Sequence, residues 1–192
     1  MGADRLRFFA SLRYGDPKGF LIAMREFEPR VVASDLPARS KSLRTNDLKP
    51  WRELRDAALF CHFMAERLGT DIRVAKTESA DYDSVATWVR DEDRVFSPIQ
   101  LKEVVPEELN PNANVQAIID GLAGKYAPAP DLTAAIHLNR SGSFDPRVLV
   151  IPKLPVQSLW VFGSVNPDAS RWVLVGDLLG DVRVSEHDYP AA

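Results

Sequence analysis

The 192-residue sequence predicts an α/β protein, a mixed β-sheet flanked by helices with extra strands toward the C-terminus. Three observations predict it. Residues 50–68 place apolar side chains at three- and four-residue intervals, the period of a helix with one buried face. Short runs that follow alternate apolar and polar residues, as half-buried strands do. The element order is helix, three strands, helix, strand, and the last strand returns through a helical crossover that right-handedness places against the sheet.

The chain is read as one domain, with 1–48 as an N-terminal extension, 49–140 as a core and 141–192 as C-terminal strands. In the extension, residues 8–15 (FFASLRYG) suit a short strand or a helical turn. Asp16-Pro17 starts a short amphipathic helix carrying Phe20, Leu21, Ala23, Met24 and Phe27. Residues 38–49 (ARSKSLRTNDLK) are polar, basic and aperiodic, and are expected to be a loop or mobile arm that could touch a phosphate backbone.

The helix over 50–68 begins with a first-turn proline and ends before Gly69. Its stripe is Leu54, Ala57, Ala58, Cys61, Met64, Ala65 and Leu68. Residues 70–77 then read as the first strand, through Ile72 and Val74. Residues 83–90 read as the second, and Arg90-Asp91-Glu92-Asp93 as a charged turn. The third covers Val95-Phe96 and 99–105, with an irregularity at Ser97-Pro98. A second helix spans 115–126, ending at Tyr126, and a linker spans 127–131. The apolar run 132–138 (LTAAIHL) suits a buried strand. Runs 148–151, 158–165 and 170–175 read as further strands, and the tail from Val184 as frayed.

Chemistry concentrates in the second and third strands. Asp83 opens one; Gln100 and Lys102 lie two positions apart on the next, so they project from one face, with Ile99 and Leu101 on the other. If the hairpin folds back, an acid, a polar oxygen and an ammonium meet at one sheet edge, the groups that metal-assisted phosphodiester cleavage uses. Glu53, in the first turn of the long helix, is a further acid, and Glu66 in its last turn is the alternative.

Asp83 followed by Gln100-Leu101-Lys102 resembles the PD-(D/E)xK superfamily of restriction endonuclease-like nucleases, in the QxK form of Mrr-like members. The resemblance covers residues 49–140. It implies a restriction endonuclease-like core and a Mg²⁺- or Mn²⁺-dependent nuclease acting on DNA. Asp83, the Gln100 side-chain oxygen and the Leu101 carbonyl would hold the metal, Lys102 would orient water or stabilise developing charge, and Glu53 would complete the set. It also implies a homodimer, common among such nucleases. Gln in place of an acid departs from the main pattern and weakens the metal site. The alternative is a nuclease-like domain without chemistry, serving as a binding or assembly module. A third reading is an unrelated α/β protein in which Gln100-Leu101-Lys102 is simply an edge strand.

Composition sets bounds. The net charge of −3 gives no global basic signature. Its distribution is uneven: residues 1–78 hold 15 Lys+Arg against 11 Asp+Glu, and residues 79–192 hold 9 against 16. The basic half offers a phosphate-facing surface. A single cysteine, Cys61, excludes an internal disulfide or a multi-cysteine metal site and fits a cytoplasmic location. No apolar run is long enough to span a bilayer, and no signal peptide is legible. There is no P-loop and no nucleophile elbow, and His62, His137 and His187 lack zinc spacing with Cys61.

Overall fold

A computed structural model describes residues 2–77, 79, 81–125 and 129–191. The helices are α1 (Ala3–Ser11), α2 (Pro17–Ala33), α3 (Ala38–Lys41), α4 (Lys49–Leu68) and α5 (Val115–Lys125). The strands are β1 (Arg73–Lys76), β2 (Ser84–Arg90), β3 (Asp93–Val104), β4 (Ala129–Leu138), β5 (Val156–Ser164), β6 (Arg171–Gly176) and β7 (Arg183–Asp188). The strands hydrogen-bond in sequence order and form a mixed sheet, so the expected α/β class holds. The fold divides into two compact units, Met1–Phe96 with Pro190–Ala192, and Ser97–Tyr189.

The first unit is built from local signals. Asp16 caps α2, its carboxylate accepting from the Lys18 and Gly19 amides at 3.1 Å each. α2 runs a turn beyond Pro29, further than the proline suggested. It packs on α4. α4 ends at Gly69, whose φ of 62° is the left-handed stop that favours glycine. All eight residues from Asp56 to Phe63 are buried, so mid-helix α4 is covered on every side rather than along one stripe; Leu68, expected inside, is exposed.

β1 and β2 pair antiparallel, Lys76 opposite Ser84. Asp91 and Glu92, with φ of 51° and 72°, make the two-residue turn into β3, matching the twist of a tight hairpin. Phe9 is fully buried against Tyr82 and Phe96, with ring centroids at 5.6 and 6.0 Å. The Arg94 guanidinium lies 5.1 Å above Tyr14 and donates to the Thr87 hydroxyl. Residues 8–11 are helical, which resolves the alternative left by the sequence. Residues 38–49 are not a bare loop: they form α3, a 3₁₀ turn at Asn46–Leu48 and the start of α4.

The second unit depends on distant pairing. β3 and β5 flank β4, both parallel to it; β5, β6 and β7 then run antiparallel. In β4, Leu132, Ala134, Ala135 and Ile136 are buried at 1% exposure or less. β3 is continuous through Ser97-Pro98.

Residues 148–151 do not form the expected strand. The Gln116 side chain donates to the Val150 carbonyl at 2.8 Å and accepts from its amide at 2.9 Å. A side chain thus takes the backbone groups that a neighbouring strand would have paired. The C-terminal segment is not frayed: β7 pairs with β6 along its length, His187 is buried opposite Trp172, and the Tyr189 amide donates to the Ser170 carbonyl. Tyr126 and part of the expected linker lie outside the described residues.

Candidate functional site

β3 positions the Gln-Leu-Lys triplet in the second unit. Register pairs Gln100 with Ala134, Lys102 with Ile136 and Val104 with Leu138, so these residues share a face. Ile99, Leu101 and Glu103 share the other with Thr133, Ala135 and His137. The expected same-face placement of Gln100 and Lys102 therefore holds. Ile99 is buried, whereas Leu101 is only partly so. Glu103 accepts from the Asn139 side-chain amide at 2.7 Å.

Gln100 is 6% exposed, and its amide nitrogen donates to the Leu101 carbonyl at 3.3 Å. The two groups that the sequence nominated as metal-holding oxygens are thus neighbours in space. Lys102 is partly buried, and its ammonium has neither an ion-pair nor a hydrogen-bond partner among the described residues. An ammonium without a counter-charge attracts an incoming anion.

Val104, two residues further along the same face, lines a cleft of about 730 Å³. The cleft lies at the carboxyl ends of β3 and β4, beside the start of α5 and the loop after β4. Asn114 caps α5 there, its side-chain oxygen accepting from the Ala117 amide at 2.8 Å. Carboxyl ends of parallel strands are the usual place for ligands in α/β sheets. Arg140 donates to the Ala113 and Asn110 carbonyls and ties the loop down.

The acids belong to the first unit. Asp83 stands one residue before β2, partly buried, and its carbonyl accepts from the Thr77 amide at 3.3 Å. Beside it, the buried Thr77 and Ser84 hydroxyls have no hydrogen-bond partner among the described residues. Glu53, expected in the first turn, is the fifth residue of α4 because the helix starts at Lys49; it is partly buried and pairs with Lys49 at 3.3 Å. Glu66 is exposed and lies 3.5 Å from His62. Sequence reasoning missed Asp56, one turn beyond Glu53, which is 6% exposed with Arg55 at 3.4 Å. Its signal was an acid flanking an apolar run, at a position just outside the stripe that was read.

His137 stacks on Phe162, centroids 5.0 Å apart and planes 9° apart, with Trp172 at 5.5 Å. That makes it a core histidine rather than a solvent-facing base. Trp160 and Trp172 are buried in the sheet. Burial pushes the Cys61 thiol up to about 12, which keeps it protonated and unreactive.

The fold and these residues define a mixed-sheet α/β protein with a polar triplet on a central strand. Comparison with protein-family models, curated proteins and solved structures finds no match for the chain.

Proposed function

We propose that the protein is a metal-dependent nuclease that hydrolyses phosphodiester bonds in DNA. The observation that carries this reading is Lys102: a partly buried cation without a counter-charge among the described residues, two positions from an amide that touches its neighbour's carbonyl. The topology supports it. An antiparallel β1–β2–β3 run followed by α5 and a parallel β4 has the order expected of a restriction endonuclease-like core.

The donor set is oxygen only, which suits a hard divalent cation such as Mg²⁺ or Mn²⁺. Gln100 and the Leu101 carbonyl are the oxygens on β3 that would hold it; of the two candidate acids, Asp83 and Glu53, the contribution of Asp83 is measured by its variant below. Bound there, the ion would neutralise charge on the scissile phosphate and acidify a water. Gln100 presents an amide, so turning its side-chain group by half a revolution exchanges donor for acceptor toward the carbonyl. Lys102 supplies a fixed positive charge for the phosphorane that develops during attack.

Plasmid cleavage with Mg²⁺ or Mn²⁺ tests the proposal. Wild type should nick or linearise DNA, and Lys102→Ala and Asp83→Ala should each lower the rate about 100-fold or more. Gln100→Glu should lower the metal concentration needed, because a carboxylate binds the ion more tightly than an amide. Metal-independent cleavage, or full activity in Lys102→Ala, would sink the idea. DNA binding by wild type without cleavage would replace it by the binding-module reading, which the neutral side chain at position 100 favours.

A further inference from the structure

We infer that the stretch from Arg39 to Arg55 is a docking surface for single-stranded nucleic acid, with Trp51 as its stacking platform. The inference rests on the nuclease reading to the extent that it names the substrate class.

Trp51 is 52% exposed, whereas Trp160 and Trp172 are buried. A large aromatic surface left in water forgoes the stabilisation that burial brings to such side chains. α4 has no packing use for it, because the buried segment starts at Asp56, more than a turn further on. Pro50 precedes it and the helix backbone holds it, so the ring is presented from a firm support.

The surrounding chain is cationic. Residues 39–55 carry Arg39, Lys41, Arg44, Lys49, Arg52 and Arg55 against only Asp47 and Glu53. Arg39 is exposed, and its guanidinium has no partner among the described residues. Lys49 is exposed and pairs with the partly buried Glu53 four residues on, a helix-surface pair weak enough to be displaced by a phosphate. Lys41 donates to the Val32 carbonyl at 2.8 Å, which anchors α3 to the end of α2.

One aromatic face among spaced cations suits a strand whose bases are unpaired. Every base offers a stacking face, and the phosphates need only positive charge. A duplex hides those faces in its own stack. A lipid surface would require an apolar helix face, but the apolar part of α4 is already buried and Trp51 is bracketed by Lys49 and Arg52. Val32 and Leu36 are exposed upstream, so anionic vesicles form the competing arm of the test.

The experiment is fluorescence anisotropy of the full chain with a labelled mixed-sequence single strand of about 20 nucleotides, in chelator, so that cleavage plays no part. Wild type should bind, and the same sequence as a duplex should bind more weakly. Trp51→Ala should weaken single-strand binding by roughly 5- to 150-fold, Trp51→Phe much less. Arg39→Ala with Lys49→Ala should flatten the salt dependence by about 1.4 in log–log slope. Thermal melting should not change for Trp51→Ala, because the ring is largely outside the core. Equal affinity of Trp51→Ala and wild type overturns the inference, as does tighter binding to the duplex. Trp51-dependent binding to phosphatidylserine vesicles without oligonucleotide binding overturns it in favour of a lipid surface. Binding is read on wild type and the Trp51 variants alone, and cleavage on wild type with metal added. Lost cleavage with Trp51-dependent binding intact therefore fails the nuclease reading alone, and cleavage that survives without Trp51-dependent binding fails this one alone.

Discussion

The two units reach their folds by different routes. In the first, most elements are set by residues close in sequence: Asp16 caps α2, Gly69 stops α4, and Asp91-Glu92 turns β2 into β3. In the second, the central strand β4 gains its partners from residues more than 20 positions away on either side, and β7 turns back on β6 through a loop. The edges differ in the same way. β1 has Gly15 bridged to Val74 outside it, with both backbone bonds made, at 2.9 and 3.1 Å. β7 is a terminal strand rich in charge, carrying Arg183, Glu186 and Asp188, which discourages pairing with another edge. Local instructions make an element robust to changes elsewhere; long-range pairing makes it depend on the whole neighbourhood.

The largest effects should come from the two cores. Phe63 in α4 and Phe162 in β5 are both fully buried, and truncating either to alanine should cost about 3–5 kcal/mol. Residue-resolved hydrogen exchange sharpens the contrast. Phe63→Ala should raise exchange most in α4, β1 and β2, and Phe162→Ala most in β4, β5 and β6. An identical pattern from both variants would break it.

Next comes Gly176, at the end of β6 with φ of 148°, where an added Cβ would lie 2.8 Å from the Trp160 ring and 2.9 Å from the Leu159 carbonyl. Gly176→Ala should cost about 2–4 kcal/mol by crowding and backbone strain together. Chemical denaturation measures it, and a change below about 0.5 kcal/mol, the range of an ordinary surface substitution, would show that the neighbours yield freely.

Alkaline pH should loosen the first unit. Burial raises Cys61 from its usual 9.0 to about 12, and it likewise raises Tyr14 from 10.0 to about 12 against the lowering effect of Arg94. The folded state holds these protons more tightly than the unfolded state does. Stability from this source is therefore complete below about pH 9 and falls as pH rises toward 12, by up to about 1.4 kcal/mol per pH unit for Cys61. Cys61→Ala should flatten that decline, and thiol titration under native conditions should be slow until the chain opens. A pH-independent midpoint between 9 and 11 would contradict the assignment.

The smallest effect is at the cap. Asp16→Ala should cost about 1 kcal/mol, and Asp16→Ser should restore most of it, because either oxygen can accept from the first-turn amides. Loss of function without loss of stability would instead assign Asp16 a role beyond capping.

The candidate site was legible in part, and the part follows from period. Residues two apart on a strand share a face, so Gln100 and Lys102 could be placed together from spacing alone. Asp56 could not, because α4 is covered all round in its middle and an acid there looks like the edge of a stripe. Nor could the fate of residues 148–151: the run Val-Leu-Val-Ile is strand-like, yet the Gln116 side chain takes both backbone groups of Val150. The residues of β7 are mostly polar, so no hydrophobic rhythm announced a strand that β6 imposes.

By itself the sequence determined the helix with its glycine stop, the hairpin turn, the apolar run of β4 and the shared face of the triplet, because each depends on neighbours within a few positions. Tertiary structure alone decided the burial of Asp56, the pairing of β7 with β6, the capture of Val150 by Gln116 and the exposure of Trp51. The physical reason is range. Backbone conformation is set within a turn or two of chain, whereas burial and pairing are set by whatever distant segment comes to lie alongside.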